Sequence, residues 1–307
     1  MRWRKQGLLY APSGERPWAR SHASLPVALP LEGDVCRVFF ASRDEQNRSS
    51  IGWVEADLAT GTVLREAEAP VMEPGPLGHF DDHGVYPASV VEHEGALYLY
   101  YIGWNPGPTP PLFYSTIGLA VSEDGGLTFR RVSRAPVLAR SEHDPCLVTS
   151  PFVMKDGGRW RMWYVSGFRW ERAADGLHSY YHLKYAESDD GVAWRRDGHV
   201  AIGLKPGERN VARPCVRLED GVYRMWYSSN WGEGYRIGYA ESGDGMDWTR
   251  RDDEAGIEPS DGGWDGEALA YPWVGMVNGV RRMLYNGNGF GRTGLGLATP
   301  ETAGGGG

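Results

Sequence analysis

The chain has 307 residues, 41% of them hydrophobic and 12% aromatic, with 43 glycines and a net charge of −8. This is ample for a globular core and suits a turn-rich β protein, while the acidic balance argues against a nucleic-acid or anionic-membrane partner, whose phosphates need a basic surface. No apolar run spans a bilayer or follows the basic N-terminus as in a signal peptide, and Cys36, Cys146 and Cys215 form no CxxC pair, which predicts a reducing cytoplasm and neither a disulfide framework nor a zinc site.

In chain order, the first element is the segment 2–10, whose Trp3-Arg4-Lys5 is similar to Trp194-Arg195-Arg196 and Trp248-Thr249-Arg250 much later. After it, two marks recur five times. Prolines 26, 87, 151, 214 and 272 each end a polar lead-in, 61, 64, 63 and 58 residues apart. An aromatic strand follows each, ending at Phe40, Tyr101, Tyr164, Tyr227 and Tyr285, with steps of 61, 63, 63 and 58. A third strand comes next, at Ile51-Gly-Trp-Val, Ile117-Gly-Leu-Ala, Leu183-Lys-Tyr-Ala, Ile237-Gly-Tyr-Ala and Leu295-Gly-Leu-Ala. Three of these run into a Ser-x-Asp-Gly turn and an aromatic, Phe129, Trp194 or Trp248, while the first unit turns through Ala59-Thr60-Gly61. Asp-Gly between alternating strands marks a tight hairpin.

A self-similar period of this length means units that bury their faces on one another. The predicted fold is all-β, a five-bladed β-propeller of four-stranded antiparallel blades. The fifth unit lacks an outer strand after Leu297-Ala298, and residues 2–10 are expected to supply it and close the ring, leaving no open edge. Residues 1–303 are then one domain, and 304–307 a flexible glycine tail.

In a propeller, function concentrates where inner strands converge, so the lead-ins to the five prolines carry the candidate site. They place a carboxylate in four units: Asp81 or Asp82, Asp144, Glu208 and Glu267. Converging carboxylates repel, which separates an acid from a base; the alternative is that each caps a turn or pairs with a neighbouring arginine. Just before the prolines stand Leu25, Tyr86, Ser150, Arg213 and Tyr271. Arg213, Arg43 and Arg236 form a candidate clamp for an anion or hydroxyl, with salt bridges between units as the alternative. Trp104, Trp170, Trp231 and Trp264 fall outside the strand register, in loops where a ring can stack on a sugar or simply pack. His22, His83 and His182 lie near the same mouth, without the i,i+4 spacing of a helical metal site.

These marks together, with the repeated Tyr-Ala-Glu-Ser-x-Asp-Gly-x-x-Trp, resemble the five-bladed propeller glycosidase superfamily, which includes glycoside hydrolase families 32, 43, 68 and 130. The resemblance is closest to members found among polysaccharide biosynthesis genes. It implies carbohydrate binding at the mouth and acid–base work by carboxylates from different blades. Families 32 and 43 place an essential Asp at the start of blade one, where this chain has Ser21-His22-Ala23-Ser24-Leu25-Pro26.

On that resemblance the chain is expected to be a glycoside hydrolase with Asp82, Asp144, Glu208 and Glu267 as catalytic residues. Glu208 would be the general acid, Asp82 or Glu267 the base or nucleophile, and Asp144 would tune them. His22, Arg43, Tyr86, Trp104, Ser150, Trp170, His182, Arg213, Arg236, Tyr271 and Asn288 would bind a small-molecule or oligosaccharide substrate. The missing blade-one Asp keeps two alternatives open: a propeller recruited to biosynthesis for cyclisation, elimination or phosphorolysis, and a non-catalytic sugar-binding propeller. No cofactor or metal ligand set is expected, although a cation held by backbone carbonyls in the channel would leave no sequence trace. The oligomeric state is not written in the sequence.

Overall fold

The computed structural model describes residues 2–301, so the glycine run from 304 to 307 lies outside the described residues. It opens on β1 (Trp3–Tyr10), and four similar sets of strands follow. The first is β2 (Ser21–Pro30), β3 (Val35–Arg43), β4 (Ser49–Asp57) and β5 (Thr62–Glu66), and the second is β6 (Gly84–His93), β7 (Ala96–Pro106), β8 (Phe113–Ser122) and β9 (Arg130–Arg131). The third is β10 (Leu147–Asp156), β11 (Arg159–Ala173), β12 (Gly176–Ser188) and β13 (Val200–Ile202). The fourth is β14 (Asn210–Glu219), β15 (Val222–Asn230), β16 (Tyr235–Ser242) and β17 (Thr249–Arg250). The last set is β18 (Ala270–Val277), β19 (Val280–Asn286) and β20 (Leu295–Pro300), and β1 pairs antiparallel with β20 to give the order β1-β20-β19-β18. Single parallel contacts, Ser49 with Gly84 and Tyr181 with Asn210, join the first set to the second and the third to the fourth. The first strands β2, β6, β10, β14 and β18 pack each on the next, and β18 packs on β2. No helix among the described residues is long and apolar enough to cross a membrane.

The five prolines do not end a lead-in, as the sequence pattern suggested. Each lies inside the first strand of its set, and each of those strands carries a break in pairing register beside the proline. Proline has no N–H to give a ladder, so a bulge is where a strand tolerates it. The residue before it is left-handed in four sets: Leu25 (φ 56°), Ser150 (45°), Arg213 (53°) and Tyr271 (56°). Non-glycine residues hold that conformation at a cost, and such sites cluster where geometry serves a ligand.

Neighbouring sets are joined by one repeated contact. The aromatic of each second strand meets the aromatic after the next set's turn: Phe39 with Phe129, Tyr100 with Trp194 and Trp163 with Trp248, at ring separations of 5.6, 5.9 and 6.0 Å. Trp226 meets Trp3 of β1 in the same way at 6.2 Å. Polar bonds reinforce two of these contacts, since the Tyr100 hydroxyl donates to the Gly191 carbonyl at 2.7 Å and Trp163 Nε1 to that of Gly245 at 2.7 Å. The turns themselves are built by side chains. Asp124, Asp190 and Asp244 accept hydrogen bonds from the hydroxyls of Ser122, Ser188 and Ser242, plus two backbone N–H groups each. Glycine in the third strand lets the sheet meet a ring: a Cβ at Gly118 would lie 2.2 Å from Tyr101.

Trp3 is buried, so Trp3→Ala should lower stability by about 3–5 kcal/mol, as large-to-small core changes do. The exposed Arg4→Ala should stay within about 0.5 kcal/mol. Urea denaturation of both variants checks this, and equal losses would mean that β1 is an appendage.

Candidate functional site

The starts of the first strands, the ends of the second and the starts of the third converge on a cavity of about 600 Å³, within the size range of small-ligand sites. Its walls are mainly rings: Tyr86, Trp104, Phe113, Trp170, Tyr181, Tyr235, Tyr271 and Phe290. The rings brace one another, Phe113 against Trp170 at 5.8 Å, Tyr235 against Tyr271 at 5.7 Å and His83 edge-on to Trp104 at 4.5 Å. Trp104 is further held by its Nε1, which donates to Ser49 Oγ at 2.9 Å. The glycine at 84 makes room for that pair, since a Cβ there would lie 2.1 Å from the Ser49 hydroxyl. Between the rings stand Ser24, Asn47, Ser115, Thr149, Ser150, Ser179, Asn210 and Asn230. Asn210 Nδ2 donates to the Ser179 carbonyl at 2.8 Å, which fixes its amide. Arg43 is the cation on the wall; its Nη1 donates to Asn47 Oδ1 at 2.9 Å and its Nε is buried without a partner. No Asp or Glu lines the cavity.

Of the eleven predicted binding residues, Arg43, Tyr86, Trp104, Ser150, Trp170 and Tyr271 line this space. Arg213 does not reach its wall. It is 2% exposed, and its guanidinium donates to the carbonyls of Pro87 at 3.4 Å and Pro26 at 3.1 Å, in two other sets. Arg236 donates to the backbone carbonyls of Tyr235 and Glu267, and Asn288 caps the 267–268 backbone through its Oδ1. His22 bonds to Ser21 Oγ, and His182 stacks on Phe168 with its Nε2 buried and unpartnered.

The structure does not bring the four carboxylates together. Asp144 and Glu208, 0% and 4% exposed, pair with arginines at the outer edges of their own sets. Asp144 accepts from Arg196 at 2.9 Å and from the Tyr164 hydroxyl at 3.2 Å, with Lys184 at 3.5 Å. Glu208 is held by Arg250 through both oxygens, at 2.7 and 2.9 Å. Asp81 repeats the arrangement with Arg131 and Tyr101, and Asp265 with Lys5 and Tyr285. Burial raises the pKa of Asp265, and bonds from Lys5, Ser260 and Tyr285 outweigh that and leave it below the usual range. A charge buried between strands needs such a partner. The first set has Phe40 where the others have tyrosine and Arg20 where they have the acid, and it has no staple of this kind. Asp82 lies on the rim of a second cleft of about 620 Å³ shared with Asp44, Glu45, Arg20 and Arg48, and accepts from Asn105 and from the Gly78 N–H. Glu267 is exposed in the loop before β18.

Sequence reasoning missed Phe113, Tyr181, Asn210, Asn230, Tyr235 and Phe290. Phe113 follows an excursion between β7 and β8, Tyr181 comes from the overlong β11–β12 hairpin, and Phe290 from a left-handed turn. All three segments join a second strand to a third, and their irregular length was the available signal. Among the described residues no three His, Cys, Asp or Glu side chains converge as a metal site.

Two measurements follow from these environments. Asp144→Ala leaves Arg196 and Lys184 without their carboxylate and should cost about 3–5 kcal/mol in a denaturant titration; an unchanged midpoint would mean that the staple carries no load. His22 and His182 are both lowered to about 4, first by burial and then by Arg43 for His22 and Lys184 for His182. The unfolded state, titrating near 6.5, then binds protons that the native state refuses. Stability should therefore fall as pH drops from about 6.5 towards 4, and His182→Gln should flatten that limb in a pH series of urea midpoints.

No family model matches the chain. Two mycobacterial proteins, uncharacterized protein MT1551 of Mycobacterium tuberculosis (strain CDC 1551 / Oshkosh) and uncharacterized protein Rv1502 of strain ATCC 25618 / H37Rv, are each 45% identical over 303 residues, 98% of this chain and 100% of theirs. Among solved structures, a BT0996 RGII complex superposes with a TM-score of 0.74 at 19% identity, over 98% of this chain and 92% of the matched one. A thermostable family-43 glycoside hydrolase gives 0.67 at 16%, over 91% and 88%. A member of the GH130 family, whose mannoside phosphorylases include hydrolases of β-1,2 mannosidic linkages, gives 0.71 at 15%, over 96% and 92%. These are glycoside hydrolase-like propeller proteins, and at such identities the likeness is one of fold.

Proposed function

We propose, for a chain that belongs to one family with the mycobacterial proteins Rv1502 and MT1551 and has the fold of the propeller glycosidases, that it is a carbohydrate-active protein whose axial cavity binds a sugar. In this reading its five sets are the blades of one closed propeller spanning residues 1–303, with β1 as the closing strand. The observation that carries the function is the cavity wall: aromatic faces from the second to fifth sets stand among amides and hydroxyls from the first to fourth. Rings offer a sugar's C–H face a flat apolar surface, and Asn47, Asn210, Asn230, Thr149 and Ser150 offer its hydroxyls donors and acceptors.

Hydrolysis of a glycosidic bond is the second reading, favoured by the fold neighbours. Asp144 and Glu208 are held in ion pairs away from the cavity, so the carboxylate closest to the task is Asp82. It adjoins His83 on the cavity wall, an imidazole whose pKa burial lowers against the pull of Asp82 and Asp44. In a proton relay His83 would meet the bound sugar, and Asp82, facing the neighbouring cleft, would act through it.

Titration calorimetry with an oligosaccharide panel, paired with turnover of aryl glycosides, tests both readings. Trp104→Ala and Trp170→Ala should each weaken sugar binding by roughly tenfold, as loss of a ring at a binding hot spot does, and unchanged affinity in both would sink the cavity assignment. Asp82→Asn should spare binding. If the protein hydrolyses glycosides, that variant should lose roughly a hundredfold or more in rate; full activity would remove Asp82 from the chemistry.

A further inference from the structure

We propose that the sugar taken by the axial cavity carries an acid group, a carboxylate or a phosphate, which Arg43 grips against the unneutralised charge of Arg213. This rests on the cavity being a sugar site. It adds the chemical class of the ligand.

Most other buried and half-buried arginines have carboxylate partners. Arg37 is paired with Glu55, Arg131 with Asp81, Arg196 with Asp144 and Arg250 with Glu208. The chain has eight more acidic than basic residues, so carboxylates are not scarce. Yet the two arginines nearest the axis have none. Arg213 is fully enclosed and donates only to the neutral carbonyls of Pro26 and Pro87. Its titratable neighbours are Cys215 and Tyr271, and burial lowers its pKa only to about 10, so it stays charged at neutral pH. Arg43, on the wall above, spends one nitrogen on the neutral Asn47 and has its Nε buried and unpartnered.

A guanidinium removed from water without a counter-charge is costly, and so is an unpartnered buried N–H. Nothing on the wall offsets either, because no Asp or Glu lines the cavity. The acids nearest His83, Asp82 and Asp44, face the neighbouring cleft, where Asp44 pairs with Arg48 at 2.8 Å and Asp82 accepts from Asn105 and Gly78. A second sign of positive potential comes from His22, whose imidazole is disfavoured as a cation by burial and then by Arg43 and Arg292. Two cations without counter-charge, Arg43 on the wall of an aromatic cavity and Arg213 buried behind it, hold a field that a neutral ligand leaves unsatisfied and an anionic one satisfies. The planar fork of Arg43 suits a carboxylate or phosphate.

The test is calorimetry of the full chain at low salt with glucuronate, glucose 6-phosphate, glucose and inorganic phosphate, on wild type, Arg43→Gln and Arg43→Lys. At least one acidic sugar should bind roughly tenfold or more tightly than glucose, the gain expected of one charge-assisted contact. Arg43→Gln should erase that advantage and Arg43→Lys should keep part of it; which acid is preferred identifies the group. If Arg43→Gln melts early, the partial loss in Arg43→Lys carries the comparison. Glucose binding as tightly as both acids would overturn the inference and leave the sugar cavity standing. Binding of none of the three sugars would overturn both. An advantage that survives Arg43→Gln, or inorganic phosphate matching glucose 6-phosphate, would overturn the inference as well, the second because the anion would then be held without its sugar.

Discussion

The contact on which everything else rests is the seat that one sheet offers the turn of the next. A four-stranded sheet with aromatic residues on its second strand has a face it cannot bury alone. Phe39, Tyr100, Trp163 and Trp226 bury theirs under Phe129, Trp194, Trp248 and Trp3. Because the same seat is used at each of these joints, the sheets meet at a repeated angle, and their first strands are brought together at an axis. The serine–aspartate turns exist to present those rings, which is why they bond their own backbone and leave the ligand side to others.

Charge is sorted by radius. Acids that precede the first strands turn outward to arginine or lysine at the outer edge of their own sheet, on the fourth strand or, for Arg196, just before it, and a tyrosine hydroxyl from the second strand completes each of three such staples. Sorting the acids outward leaves the axis with rings, amides and arginines. The character of the cavity is thus a by-product of how each sheet pins its outer edge, and the two cannot be changed independently.

The repeat was legible because proline and aromatic markers answer to backbone and packing demands that act identically in every sheet. Trp3 was legible for the same reason, standing where Trp194 and Trp248 stand. Half of the cavity's rings were legible too: Tyr86 and Tyr271, which stand before prolines, and the off-register tryptophans Trp104 and Trp170 are set by position in the repeat. The direction of the acids was not. Whether Asp144 points to the axis or to Arg196 depends on a turn of one or two residues, and an outward partner lies some fifty residues ahead in sequence. Residues such as Phe113, Tyr181 and Phe290 belong to segments that break the repeat, and a periodic reading passes over them.

The pairing of β1 with β20 has a kinetic side. Trp3 lies opposite Pro300, so this ladder joins the two most distant stretches of the described chain. Contacts of such sequence separation form late, after the entropy of closing a very long loop has been met. Until then the earliest-made strand waits without a partner, and β20 shows an unpaired edge to solvent, the kind of surface on which chains aggregate. The assembly is for that reason an interval of exposure that ends all at once, and anything that delays the meeting of these two strands lengthens the time during which a chaperone or a protease can intervene.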